Sequence, residues 1–493
     1  MVHPPVDHPI EQASSPPGFG RLALGLVALA AVVGTGLLLG RVLTSPAWTW
    51  AVTGVGLSAV ALTALLSPSA SLLLWIVLAP FASHIYLKLQ LGRGIPDLDV
   101  TRLMTLLLLY QMVSQVVLRT GWQPVRLSWI EVAMAGFTAA MILALPMSSL
   151  GLVGGLQTVF DFVVAPFLVF YFSRNWLRSR RSLMAAIAAV ALVSALLGLI
   201  TAREQLTGHT LFSPVHYSLV YEGKIRKVLS VFGSPAAMTT PLAVSVPALL
   251  YGLRQTGRLR WKVFLGVALI CVLAGVFFAY VRAGWLGVLI GLAILVWLSP
   301  PLRRALLALL PMLILIGATV SAVAVVSPEM IQGRLTSQEP ITYRLTAWRL
   351  AWELFLSSPV IGIGYDEFGR VAAGQFGWNP HRITMVSEFP AVHNSYLYVL
   401  VSGGLVALIP YLALFAGLLW RGYRFWRHPW GEEERAEARE TVATLWATLI
   451  SYMVIIGTFD VQNAQFANLT LFLLVGALVG RLEEMGRLSG VAG

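Results

Sequence analysis

The chain has 493 residues, of which 57% are hydrophobic and only 11% charged, with a mean hydropathy of +0.78. That composition excludes a soluble globular protein and points to a membrane protein. The net charge of +12 is dispersed over short segments and not gathered on one domain, which argues against a nucleic-acid partner.

Residues 1–20, MVHPPVDHPIEQASSPPGFG, are rich in proline and hold no cation before Arg21. They do not read as a cleavable signal peptide and are expected to form a short cytoplasmic tail. Runs of membrane-crossing length follow, near 22–40, 47–66, 70–87, 103–118, 128–146, 152–172, 183–200, 236–252, 262–281, 284–298, 305–326, 395–420, 442–459 and 465–480. Strands of a membrane barrel are short and alternate in polarity; these runs do neither. The expected fold is therefore all-α and polytopic, with about 12–14 transmembrane helices. The single cysteine, Cys271, falls in a predicted span and can form no intrachain disulfide.

Orientation follows from the arginines. With the amino terminus inside, the inner connections receive Arg21, Arg119, Arg126, the Arg174–Arg181 cluster, Arg254 to Lys262, Arg303, Arg304, the arginines between Arg421 and Arg439, Arg481 and Arg487. That bias predicts both termini inside. The expected division is a bundle over 21–326 with an outer loop at 201–235, a large periplasmic loop at 327–392, and carboxy-terminal helices over 393–493. Both long non-apolar segments then face outward, and chemistry is expected there.

Within the large loop, YRLTAWRLAWELF (343–355) places Leu345, Trp348, Trp352 and Phe355 on one helical face, with Arg349 and Glu353 paired four apart on another. Such a helix is expected to lie on the membrane or dock on the bundle. In SSPVIGIGYDEFG, Gly362 and Gly364 suit a tight turn ahead of Asp366 and Glu367; this GxG follows no predicted strand, so it does not suggest dinucleotide binding. RGYRFWRHPWGEEERAEARE reads as a charged inner connector between two spans.

Four basic side chains stand where predicted spans meet the outer face: Arg226 in KIRKVLSVFGSP, Arg282 in FFAYVRAGWLGVL, Arg344 opening the amphipathic helix, and His393 in AVHNSYLYVLVSGG. Arginines at a membrane boundary serve as interfacial anchors or as binders of phosphate. Arg282, with apolar residues on both sides, needs a polar partner or cavity. His393 is either an interfacial histidine or a general base, since imidazole titrates near neutrality. No second histidine stands four residues away, and no cysteine pair or aspartate cluster accompanies it, so no metal site and no cofactor are expected.

These stretches, taken together, resemble the O-antigen ligase and O-antigen polymerase family of bacterial envelope glycan transferases. The family signature runs His, then Asn, Ser or Gln, nine residues, Gly, two residues, and Gly, Thr or Tyr. His393, Asn394 and Gly404 match it, while Ala407 departs from its last element. VRAGWLGVL is similar to the family's arginine-glycine-tryptophan span opening at Arg282, and TYRLTAWRLAWELFLSSPVIGIGYDEF to the segment with a second arginine, Arg344. RKVLSVFGSPAAM resembles an arginine followed by a Phe-Gly-Asn-Pro-like element, with Arg226 as the arginine and Ser234 in place of the asparagine. The resemblance implies an undecaprenyl-pyrophosphate-linked glycan as donor and a lipid or glycan hydroxyl as acceptor. It also implies a place in the bacterial inner membrane, with the site on the periplasmic face. His393 would then be the general base, Arg282, Arg344 and Arg226 would hold the pyrophosphate, and Asn394 and Gly404 would support them. A transporter or flippase is the alternative, with Asp161 and Glu131 as proton-relay carboxylates inside predicted spans; a non-catalytic scaffold is a third reading.

Overall fold

The computed structural model describes residues 67–84, 99–118, 124, 127–211, 219–221, 225–228, 230–300, 303, 304, 307, 339–376, 391–460 and 464–488. Among them, nine helices are long and apolar enough to cross a membrane. The chain is an all-α, multi-pass membrane protein, as composition requires. The tail at 1–20, the runs near 22–40 and 47–66, and nearly all of that near 305–326 lie outside the described residues.

Helix α1 (Pro68–Leu78) starts on a Ser67 cap and passes into a 3₁₀ segment, Ala79–His84, so this apolar stretch is shorter than the nine spans. Next come α2 (Val100–Val117) and α3 (Trp129–Leu143), the latter opened by a Ser128–Glu131 capping box. One crossing is built from α4 (Gly151–Val159), a π turn (Phe160–Val164) and α5 (Ala165–Trp176). Helix α6 (Arg180–Thr207) continues into the segment expected as the first outer loop. A hairpin follows, in which β1 (Leu219–Tyr221) pairs antiparallel with β2 (Ile225–Lys227). Then come α7 (Pro235–Gln255), α8 (Leu259–Phe278), α9 (Arg282–Leu298), α10 (Glu339–Ser357) and α11 (Phe368–Phe376). The chain ends in α12 (Ser395–Arg427), α13 (Glu432–Ile456) and α14 (Gln465–Leu488). The expected connector 421–440 is mostly helical: α12 runs on to Arg427 and α13 begins at Glu432.

Helices α7 and α14 form the centre, buried along most of their length, whereas α2 and α8 turn apolar faces outward. In lipid such faces need no protein partner, so burial there reports packing and not hydrophobic sorting. Close approach depends on small residues. A Cβ at Gly198 of α6 would lie 2.2 Å from the Cys271 carbonyl oxygen of α8, so any side chain there separates the two helices.

One end of the bundle is tied by ion pairs. Arg174, only 2% exposed, donates to Glu483 at 2.8 to 3.1 Å and pairs with Glu131, while Arg421 also reaches Glu483. Arg481 pairs with Glu437, and Arg254 with Glu440. Breaking such a buried set by removing one member leaves an uncompensated charge, at a cost of about 3–5 kcal/mol. Glu131 is thus a structural partner. So is Asp161, whose carboxylate accepts from Arg102 Nε at 3.0 Å. Both carboxylates on which a transport reading leans are already held in ion pairs.

At the other end, α12 is broken. Gly404 has φ +62° and ψ −161° inside the helix, and the backbone groups freed there are taken up by residues 359–364. Ile363 and Gly364 donate to the carbonyls of Val401 and Ser402, and Leu405 and Val406 donate to those of Pro359 and Val360. Irregular backbone in a membrane protein survives where every polar group finds a partner inside the protein. A Cβ on Gly404 would stand 2.2 Å from the Val360 oxygen, and one on Gly362, at φ +72°, 2.5 Å from the Ser402 carbonyl. The signature glycine therefore makes a stitched helix break, and the Gly362–Gly364 turn is the stitch. Gly404→Ala should lower stability by about 1–3 kcal/mol through backbone strain alone. A thermal-shift measurement in detergent that finds no loss of melting temperature would refute the stitch.

Candidate active site

The site is built where α12, α13, α9 and α10 meet. Asn394 is the N-cap of α12: its Oδ1 accepts from the amides of Tyr396 and Leu397 at 3.0 and 3.1 Å. Serine can do the same, which gives a physical reason for the choice at this signature position. His393, just before it, has φ +53°, a left-handed conformation that a non-glycine residue adopts only when its surroundings enforce it. Asp460 enforces it. Its two carboxylate oxygens accept the backbone N–H groups of His393 and Asn394, each at 2.8 Å. Ser395 Oγ donates to the Phe459 carbonyl at 2.6 Å, and Trp348 Nε1 of α10 to the Val392 carbonyl at 3.0 Å, so the turn is held from α13 and α10 together.

Asp460 is 5% exposed. Burial pushes its carboxyl up to about 6, against the two backbone N–H bonds and the Arg344 charge, which favour the ionised form. The residue follows α13 directly and lies outside the spans. It was not among the residues singled out from sequence; the available signal was a lone acid, in GTFDVQN, immediately after a long apolar run.

Arg344, near the start of α10, is half-buried. Burial and then repulsion from Arg282 hold its guanidinium below the usual arginine value, against attraction to Asp460. Arg344 thus senses both Arg282, on α9, and Asp460, in the α13–α14 turn, and brings the two to one region. Among the described residues, no carboxylate forms a salt bridge with Arg282 or Arg344. Two guanidinium groups near each other without such a partner have the chemistry to take up an anion.

The span opening VRAGW has a packing reason. A turn at Ala279–Val281 puts Arg282 at the first position of α9; a Cβ on Gly284 would overlap Thr239 Cγ2 at 2.0 Å, so glycine lets α9 close on α7. Trp285 Nε1 donates to the Val276 carbonyl and its ring stacks on Phe277, fixing the turn. Arg226 lies on β2 opposite Val220. The element after it is a helix start in which Phe232 stacks on Phe466, Gly233 is left-handed at φ +65°, Ser234 caps α7 and Pro235 opens it. Ser234 is as good a cap as the asparagine it replaces.

Helix α10 does form where the periodicity predicts it, and Arg349 and Glu353 pair at 3.0 Å. Its buried face overlaps the expected one only in part. Ala347, Leu350, Ala351, Leu354 and Phe355 pack with Val392, Tyr398 and Val401, while Leu345 and Trp352 are 58% and 50% exposed. The small alanines let the helix sit close to α12; of the expected face, Phe355 and the half-buried Trp348 stay on the packed side, and Leu345 and Trp352 turn outward. Beyond the turn, Glu367 is buried. Burial works against its ionisation, but hydrogen bonds from Ser149 and the Arg370 guanidinium outweigh it and hold the carboxyl below its ordinary value. Glu367 is committed to holding the end of α3 and is not a free base. Tyr398 Oη bonds Asp366 at 3.2 Å. Glu388 lies outside the described residues.

No curated protein matches the chain. Residues 267–412 match the O-antigen ligase family, a stretch that contains Arg282, Arg344, His393, Asn394 and Gly404 and leaves Arg226 and Asp460 outside it. The matched stretch comprises most of α8, all of α9, α10 and α11, and α12 through its glycine break.

Proposed function

We propose that the protein transfers a glycan from an undecaprenyl-pyrophosphate donor to an acceptor hydroxyl at the periplasmic face of the bacterial inner membrane, as an O-antigen ligase or a polysaccharide polymerase. The observation that carries this reading is the convergence of Arg282 and Arg344 beside the Asp460-held turn of His393. As the sugar C1–oxygen bond to phosphate breaks, negative charge grows on the leaving pyrophosphate, and fixed guanidinium groups are matched to that charge. His393 takes the proton of the attacking hydroxyl, a step typically worth about 10² to 10⁴ in rate. Arg226, on the hairpin, adds a third cation for the lipid phosphate. Asn394 and Gly404 keep the histidine at the lip of α12, at headgroup height. The outer loop at 201–235, the large loop at 327–392 and the inward termini complete this arrangement.

The guanidinium groups take the place of a divalent cation, so transfer should persist in EDTA. In the same assay, Arg282→Lys and Arg344→Lys keep the charge but lose the planar two-pronged donor. Each should cut turnover of lipid-linked glycan by about tenfold or more, the worth of one lost charge-assisted hydrogen bond, with unchanged folding. Full activity in both lysine variants, or activity lost in chelator and restored by Mg²⁺, would overturn the clamp. A transporter would show no turnover when purified alone.

A further inference from the structure

We infer that the cleft between α6, the α7–α8 turn and α8 is a binding site for an anionic glycerophospholipid. It lies at the end of the bundle opposite His393, where α6 and α8 begin, and encloses about 320 Å³. Its rim carries two guanidinium groups, Arg181 and Arg258, and the indole of Trp261; its floor is Met184, Ala188 and Leu265. The site is therefore divided in two, cationic at the level of the helix ends and apolar toward the middle of the membrane. A soluble anion would leave the apolar half unused, and a neutral lipid the cationic half. A phosphodiester headgroup with acyl chains matches both.

Neighbouring charges favour the assignment. Among the described residues, no carboxylate pairs with Arg258. Glu440, which reaches the Gln255 amide at the edge of the cleft, is taken up by that amide and by Arg254 at 3.0 and 3.2 Å. Arg180 closes the rim by donating to the carbonyl and side-chain oxygens of Gln255, both at 2.9 Å. The first turn of α8 has no side-chain cap, so its amide N–H groups add positive potential at the same rim. Alongside, Leu259, Val263, Val267 and Ile270 form an exposed stripe down α8, a path along which acyl chains run into the surrounding lipid. Trp261 at the boundary is where an indole settles, with its ring apolar and its N–H wet. The site lies outside the transfer chemistry and does not depend on it.

The test uses the full chain, purified and delipidated in detergent, with bound lipid counted by native mass spectrometry. Dioleoylphosphatidylglycerol should be retained in preference to dioleoylphosphatidylcholine. Arg181→Gln with Arg258→Gln should weaken it roughly twenty-five-fold, about a factor of five for each arginine. Arg424→Gln with Arg427→Gln removes equal charge elsewhere on the bundle, at exposed positions ending α12, and should change binding less than twofold. Equal retention of the two lipids, equal loss in both double variants, or displacement by glycerol phosphate at matched concentration would each overturn the proposal. A photoreactive phosphatidylglycerol on the unmodified protein supplies a variant-free check: its adducts should map to α6 and α8, and adducts spread evenly over the spans would refute the site.

Discussion

His393→Ala is expected to leave the protein inserted and able to bind lipid-linked donor while transfer falls by two or more orders of magnitude. The reason lies in how the residue is held. Its backbone N–H is fixed by Asp460, Asn394 caps the next helix, and Trp348 holds the preceding carbonyl, so none of these contacts uses the imidazole. These backbone contacts, and the guanidinium groups of Arg282 and Arg344, remain when the ring is removed. His393→Gln separates positioning from base chemistry, because glutamine can hydrogen-bond an acceptor hydroxyl but cannot take its proton. Near wild-type transfer by His393→Gln at saturating donor and acceptor would reduce the histidine to an orienting role. Parallel loss of donor binding in both variants would move it into the pyrophosphate site, with Asp366 and Glu388 the remaining acids of the outer loop to examine as base.

The second large effect is expected at Asp460. Asparagine is nearly isosteric but offers one acceptor where the turn needs two, and its amide N–H₂ would face a backbone donor. One charge-assisted hydrogen bond is worth about 1.5–3 kcal/mol. If the turn relaxes by about an ångström, activity should fall between tenfold and a hundredfold. The expected signature is a fall in turnover without loss of stability at neutral pH. Asp460 titrates in the folded protein at about 6, above its unfolded value. Its contribution to stability is therefore fully present below the unfolded value, near 4, and is lost as pH rises through about 6. At pH 8 the wild type carries a buried carboxylate that Asp460→Asn lacks, so the variant should be at least as stable there and lose that advantage as pH falls below 6. Thermal melts across pH 4 to 8 with transfer assays at pH 7.5 would check both halves. A variant that is both fully active and less stable at pH 8 would show that the carboxylate is structural only.

Hydropathy alone determined that the chain crosses a membrane many times as helices, because about twenty consecutive apolar residues satisfy their backbone only in that form. Motif spacing marked His393, Asn394, Gly404, Arg282 and Arg344, since the helix cap, the helix break and the close-packed span opening are local and leave local residue choices. Only the tertiary structure decided what those residues share. Asp460 stands far along the chain from His393, and nothing in GTFDVQN says that its carboxylate grips another turn's backbone. The outcomes for Asp161 and Glu131 were decided by Arg102 and Arg174, partners supplied by helices distant in sequence. The buried face of α10 is turned from the one periodicity favoured, keeping Trp348 and Phe355 but exchanging Leu345 and Trp352 for Ala347, Leu350, Ala351 and Leu354, which fit α12. In a bilayer both faces of a helix can be apolar, so hydrophobicity marks the crossing and shape complementarity chooses the side that packs.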